Sequence, residues 1–342
     1  MLCFCSTLAI AALLAVADGQ LSIKNTDFSY GQQSRSVGGK AVCISGVVQV
    51  AVAANNSKIL ISAPKTNAEV TELYVEFTQV NSRLATDSIG SPASVTDTYG
   101  IYSKLCLPAD PASAKKVKNL QVLTHGGTLD HTYWDIAPGY SYVDTAAAAG
   151  YATLSYDRLG SGLSDHPDPV QIVQLPIQIE IAHLLVQKLR RGEIGGRTFE
   201  KVAGVGHSLG SAITQSVAAK YPKDFDALIL QGTSTFFSYA FTGVASEAAQ
   251  IANTDPSGRF KNLADGYHTP GPLPQTIQFA FYRYPGYDPK SKLSLFCTYS
   301  LVSLLISAQY SPSKSRTNRP TPSARCLHWA PPTPPQPHSL AL

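Results

Sequence analysis

No Asp or Glu follows Asp288, although Lys290, Lys292, Lys314, Arg316, Arg319 and Arg325 do. The formal net charge of +4 is therefore a property of the carboxyl-terminal stretch; without those six, the 23 acids outnumber the remaining bases. That excludes a basic nucleic-acid-binding face on the main body. Charge is also sparse throughout, at 15% of residues against 44% hydrophobic. This composition excludes a disordered polyelectrolyte, and the 342 residues suffice for one large α/β domain or two small ones, with no metal or disulfide needed merely to fold. Long apolar runs are missing too. Residues 8–17 are the purest such run, and Asp18 ends it well short of the ~20 residues that a membrane span requires. The segment 293–308 is too interrupted by Ser and Thr to span. There is no internal repeat, and Gly160-Ser161-Gly162 is followed by Asp165, His166 and Pro167 rather than by a helix, which excludes a dinucleotide fingerprint. No cofactor and no metal are expected.

What is present begins with a secretory signal. Residues 1–17 carry no charged side chain, and Ala15-Val16-Ala17 suits cleavage before Asp18, so the product is expected to be extracellular. Removing Cys3 and Cys5 leaves Cys43, Cys106, Cys297 and Cys326. In an oxidising compartment Cys43 and Cys106, both in a strand-rich stretch, are expected to pair, with two buried free thiols as the alternative. Asn55-Asn56-Ser57 is an N-glycosylation acceptor, placing Asn55 between strands and exposed.

Segments 42–53, 58–62, 70–80 and 99–107 read as strands; Thr71 to Thr78 alternates polar and apolar residues as a half-buried antiparallel strand does. After residue 118 the rhythm changes. Strand-like 120–124, 151–156, 201–206 and 227–231 alternate with helical segments, of which 176–191 is clearest, with Ile177, Ile181, Leu184, Leu185 and Leu189 on one face. Such alternation predicts an α/β fold with a mostly parallel sheet and helices on both faces. The chain divides into a signal (1–17), a β-rich amino-terminal extension (18–114), an α/β core (115–235), a cap-like helical region with another helix from 244 (236–289), and a low-acid tail (290–342). Nine of the 23 prolines fall in residues 289–342, and the end of the tail is expected to be disordered or polyproline-like.

Chemistry concentrates in three motifs. Gly206-His207-Ser208-Leu209-Gly210 follows a short apolar strand and precedes a small-residue helix. A serine on such a turn needs glycines two positions either side, and the helix amino terminus favours negative charge nearby. This makes Ser208 the candidate nucleophile. His125-Gly126-Gly127-Thr128 ends strand 120–124, and its N–H groups can face a developing oxyanion. Gly127 is assigned as one donor, with Thr128 as the alternative, and Leu209 as the other donor. His125 and Gly126 are read as support for that loop. Tyr133 and Trp134 follow, either as pocket walls or as core aromatics. The third motif is Asp157-Arg158-Leu159-Gly160-Ser161-Gly162-Leu163-Ser164.

Taken in this order, the three motifs resemble the α/β-hydrolase superfamily over residues 115–235, and with the signal and the strand-rich amino terminus they resemble its secreted fungal branch. The resemblance implies an α/β-hydrolase fold with a partial helical cap, and acylation of Ser208 by an ester, thioester or amide carbonyl, assisted by a His and oriented by an Asp or Glu. The partner implied is a small-molecule ester or a peptide substrate, in a carboxylesterase, lipase or peptidase type of activity. Serine rather than aspartate at this turn argues against haloalkane-dehalogenase and epoxide-hydrolase chemistry. The family order is Ser, acid, His, with the last two on further core strands. Glu247, Asp255, Asp265 and Asp288 are the only late acids, and His268, His328 and His338 the only late histidines; none sits on a strand–loop signal. Base and acid therefore stay unassigned. The composition break near residues 289–294 coincides with their absence, so the tail reads as foreign to the family's reading frame, and a catalytically impaired or truncated relative is the alternative to a working enzyme.

Overall fold

The computed structural model describes residues 23–24, 27–234, 240–283 and 285–288, together with the short strand at 302–303. The proposed signal, most of the tail, His328 and His338 lie outside the described residues.

Seven strands form one sheet: β1 (Ser29–Arg35), β2 (Ala41–Ile59), β3 (Ile89–Pro108), β4 (Asn119–Thr124), β5 (Ala152–Tyr156), β6 (Lys201–His207) and β7 (Ala227–Gln231). Their order is β1-β2-β3-β5-β4-β6-β7. The first three run antiparallel, β3 joins β5 antiparallel, and β5, β4, β6 and β7 are mutually parallel. The amino-terminal strands thus continue the same sheet as the parallel strands. Strand β2 is continuous through the Asn55 acceptor, so Asn55 lies within a strand rather than between two, exposed and accepting a hydrogen bond from Ser94 Oγ at 3.1 Å. Cys43 and Cys106 face each other in the β2–β3 register and form a disulfide.

Both β4 and β5 are buried almost end to end, as parallel strands covered on both faces must be. On one face Leu120, Val122 and Leu154 pack against Ile177, Ile181, Leu185 and Leu189 of a helix over Leu175–Arg190 and against Ile213 and Val217 of a second helix over Leu209–Lys220. On the other, Leu123, Val205 and the disulfide pack against Trp134 and a helix over Tyr142–Ala148. A short helix, Pro111–Lys116, leads into β4. At the far edge, among the described residues, no strand pairs with the outer side of β7, and Ile229 is 40% exposed there.

The alternation at 71–78 does not make a strand. Residues Asn67–Thr78 form a helix, α1, followed by the short α2, Leu84–Asp87. Thr66 accepts a hydrogen bond from the Glu69 N–H, and the Glu69 carboxylate in turn accepts one from the Lys65 N–H. This reciprocal cap favours a helix start, and Val70, Tyr74 and Phe77 then share its buried face. The region after residue 239 is mixed rather than helical throughout: α3 (Ala240–Ala245), the short strands β8 (Gln250–Ile251), β9 (Tyr267–Thr269) and β10 (Val302–Ser303) in a small antiparallel sheet, and α4 (Pro274–Phe281). Helix α1 packs on α3 and β8, so the insertion between β2 and β3 and the cap form one layer.

Candidate active site

Ser208 stands between the end of β6 and the helix Leu209–Lys220 at φ 52°, ψ −118°. A side chain rarely adopts this left-handed backbone, and strain of this kind is kept where the surroundings over-determine it. Here the glycines explain how. A Cβ on Gly210 would lie 2.0 Å from the Thr124 carbonyl oxygen, and one on Gly206 would lie 2.4 Å from Ser211 Cα. The helix start is thereby pressed onto the end of β4. Ser208 N–H donates to Gln231 O at 2.8 Å, and Ser211 Oγ both donates to Gln231 O and accepts from Gln231 N–H, tying the turn to β7. Leu209, as first residue of the helix, presents an N–H that has no intrahelical acceptor.

The 125–128 loop lies against this turn: a Cβ on Gly126 would be 3.2 Å from Ser208 Cβ. Its Gly126 carbonyl is held twice, by His125 Nδ1 at 2.9 Å and by Arg158 Nη2 at 3.0 Å. Because the peptide is planar and trans, fixing that carbonyl turns the Gly127 N–H the opposite way, away from Arg158. His125 Nε2 accepts from the Arg158 N–H at 3.0 Å, which leaves the ring neutral with both nitrogens used. Burial and the Arg158 charge push its pKa down to about 3. Arg158, 1% exposed, is pushed down to about 10 by burial.

Asp157 was the one acid of the third motif, and its partner His131 gave no sequence signal. The carboxylate accepts from the His131 N–H at 2.6 Å, from His131 Nδ1 at 2.8 Å and from the Leu163 N–H at 2.8 Å. Burial opposes its ionisation, but the His131 charge and these bonds hold its pKa below the usual carboxylate range. Burial likewise opposes His131⁺, yet Asp157 leaves its pKa raised. Asp130 completes a group with donor atoms within 4.8 Å of one another. Those donors are turned inward: Asp130 Oδ1 accepts from Thr132 N–H and Oγ1, and His131 Nδ1 is committed to Asp157. The group braces the loop rather than presenting an open ligand set.

The two aromatic candidates separate. Tyr133 stacks on His207 with ring centroids 4.4 Å apart, beside the nucleophile turn. Trp134 is 1% exposed and fills the core behind the Cys43–Cys106 disulfide, so it walls no pocket. The late acids and histidine also disperse. Asp255 accepts from Gln250 and Ser257, Asp265 pairs with Lys65 and Asn253, and Asp288 accepts from Tyr140. His268 lies in β9, 1% exposed, with Nδ1 3.5 Å from the Tyr74 hydroxyl. Burial pushes it down to about 4, and His207 likewise. Among the described residues, no imidazole is hydrogen-bonded to the Ser208 hydroxyl. Glu247 is a different case: it is 6% exposed, and burial pushes its pKa up to about 8.

A parallel sheet covered on both faces, with a strained serine between a strand and a helix and a glycine loop facing it, defines the hydrolase class of α/β proteins. A profile of the alpha/beta hydrolase family matches residues 121–334. The chain belongs to that family. The matched span continues past Pro289 into the stretch whose composition reads as foreign to it. Among curated proteins no sequence matches this chain. Solved structures that share the arrangement include an epoxide hydrolase from Vigna radiata, at 14% identity over 40% of this chain and 36% of that one, with a TM-score of 0.32. An esterase from Exiguobacterium antarcticum matches at 17% identity over 39% of this chain and 41% of its own, with a TM-score of 0.30. An alpha/beta hydrolase from Novosphingobium aromaticivorans matches at 16% identity, covering 57% of this chain and 58% of its own, with a TM-score of 0.39. The chain thus spans about two fifths of the first two and less than two thirds of the third. Among the described residues no helix is long and apolar enough to cross a membrane.

Proposed function

We propose that the protein is a secreted serine hydrolase that cleaves a carboxylic ester or amide through an acyl-enzyme on Ser208. The observation that carries this reading is the backbone of Ser208 at φ 52°, with Gly126 packed against its Cβ. A hydroxyl raised on such a turn is accessible to a carbonyl carbon, and the N–H groups of Gly127 or Thr128 and of Leu209 are the donors for the resulting oxyanion. In the first half-reaction Ser208 Oγ bonds to the carbonyl carbon, its proton passes to a base, and the alcohol or amine leaves protonated; water then releases the acid. Tyr133 is the pocket wall on this reading. Secretion is supported by the charge-free apolar residues 1–17 and by the Cys43–Cys106 disulfide, and the exposed Asn55 is then a glycan acceptor.

One observation favours a second reading, a relative with an intact nucleophile turn and no functioning base. His125 is consumed in the loop, His131 is paired with Asp157, and His268 faces Tyr74. A fluorophosphonate probe on the full chain separates the two. Labelling that disappears in Ser208→Ala is the outcome expected for the hydrolase. A folded protein that takes up no probe defeats it and leaves the non-catalytic relative.

A further inference from the structure

An open groove of about 520 Å³ lies between strands β2 and β3 and the helices Leu175–Arg190 and Leu209–Lys220. Sites for small ligands span ~300–1,000 Å³, so the groove is large enough to hold one. Val95, Pro176 and Ile179, all half-buried, supply its apolar lining. Its polar wall is Glu180, whose carboxylate accepts from Lys220 Nζ at 2.5 Å and from the Tyr221 hydroxyl at 2.6 Å. The Tyr221 ring stacks on His183 with centroids 3.6 Å apart, which holds that wall in place. The rim carries Ser94, Thr96 and Asn55, exposed and uncharged. None of these residues belongs to the Ser208 turn or to the 125–128 loop.

Asn55 is both a lining residue of the groove and the first residue of the acceptor triplet Asn55-Asn56-Ser57. Its side-chain oxygen is fixed by Ser94 Oγ at 3.1 Å, while Nδ2, the atom that carries a sugar, has no partner among the described residues. We propose that an N-linked glycan on Asn55 seats its first sugars in this groove, between Asn55 and Glu180. The proposal rests on the secretion reading, because the attachment takes place in the secretory pathway. There Asn55 Nδ2 bonds to the anomeric carbon of a lipid-diphosphate-linked oligosaccharide; the bond from that carbon to the phosphate oxygen breaks, the lipid diphosphate leaves and one amide proton is released. The linked amide keeps its oxygen for Ser94.

The seat matches such a sugar. An N-acetylhexosamine is neutral, its hydroxyls suit the Glu180 carboxylate and the Thr96 hydroxyl, and its acetyl methyl and ring face suit Val95 and Ile179. A tethered sugar escapes most of the association cost that a free one bears, so modest contacts are enough. The order of events is also set. Asn56 Nδ2 donates to Gln171 O at 3.0 Å and Ile172 O at 2.9 Å, and Gln174 bonds both the N–H and the carbonyl of Ser57, at 3.0 and 2.8 Å. The triplet is locked once β2 is paired, so the sugar is attached first and the groove forms around it.

The test uses the full chain made in a eukaryotic secretory host. Peptide mass spectrometry reads the occupancy of Asn55, and lysine acetylation then reads where the glycan lies. Lys220 borders the groove and is exposed, whereas Lys58 is exposed three residues along β2 from Asn55 and lies outside the groove. The reference is the glycan-free Asn55→Gln chain or, if that variant is not exported, the secreted protein after enzymatic release of the glycan. A seat filled about ten times for each time it is empty slows acetylation of Lys220 on the order of tenfold relative to the reference and leaves Lys58 unchanged. Equal rates with and without glycan overturn the seating. Equal slowing of Lys58 and Lys220 overturns it too, because a glycan that sweeps the surface shields both. A secreted chain with Asn55 bare overturns the proposal and leaves the secretion reading intact. A chain that never leaves the cell defeats both.

Discussion

The two peptides of the oxyanion loop are held by opposite kinds of chemistry. The Gly126 carbonyl is gripped from the sheet side by His125 and Arg158, in a network where Asp157 and His131⁺ supply buried charge. The Gly127 carbonyl is held from within the loop by the Thr128 hydroxyl, an uncharged donor. The sheet side belongs to strands that bury both faces, so its charges are locked by backbone N–H groups on the same rigid frame. The cap side comes from short elements, in which Glu247, Tyr74 and His268 are buried and uncharged at neutral pH. A charged grip costs more to bury, and part of it is lost as pH rises through the raised pKa of His131.

The comparison breaks most severely on the sheet side. Gly210→Ala drives a Cβ into the Thr124 carbonyl oxygen, which no side-chain rotation relieves. Destabilisation of at least about 3 kcal/mol is expected, read as a lowered denaturation midpoint or as insoluble product. Asp157→Asn comes next. It strips His131⁺ of its counter-charge and leaves three N–H groups competing for one carbonyl oxygen. Breaking a buried pair in this way costs about 3–5 kcal/mol, measured by denaturant unfolding at pH 6, below the ordinary histidine value, where His131 with its raised pKa is charged.

The smallest effect sharpens the cap side. Glu247 has a folded pKa raised to about 8 from 4.5, so its contribution to stability is complete below the unfolded value and is lost as pH rises toward 8. The loss is about 1.4 kcal/mol per pH unit in that interval. Between 4.5 and 6.5 it is masked, because His125, His207 and His268 have depressed pKa values and destabilise the fold as pH falls below 6.5. From 6.5 upward His131, with its raised pKa, acts in the same direction as Glu247. Glu247→Gln therefore isolates the carboxyl: its unfolding free energy between pH 6.5 and 8 should decline less steeply than that of the unmodified protein, and equal slopes would refute the assignment.

Much of this architecture was legible before any coordinates. The strand–helix alternation after residue 118 predicts the parallel sheet, and 176–191 predicts its helix to within a residue, because Ile177, Ile181, Leu185 and Leu189 recur at helical spacing and are all fully buried. The failure at 70–80 is instructive. Alternation from Thr71 to Thr78 fits a strand, yet the cap formed by Thr66 and Glu69 is a helix-start signal in the same sequence, and local capping outweighed the period-2 pattern. Trp134 was ambiguous for a different reason: an aromatic beside a glycine loop can face a pocket or a core, and only the disulfide packed behind it decides.

The sequence by itself determined the nucleophile turn and the loop opposite it. Their requirements are local: glycines where no Cβ fits, a strand before and a helix after. Tertiary structure alone decided that β1 to β3 extend the same sheet, that His131 rather than a neighbour in sequence neutralises Asp157, and that Glu247 is buried. Those pairings join residues whose partners are set by the path of the chain. Burial gives them their chemistry, and burial is a property of the packed molecule that no local pattern of residues carries.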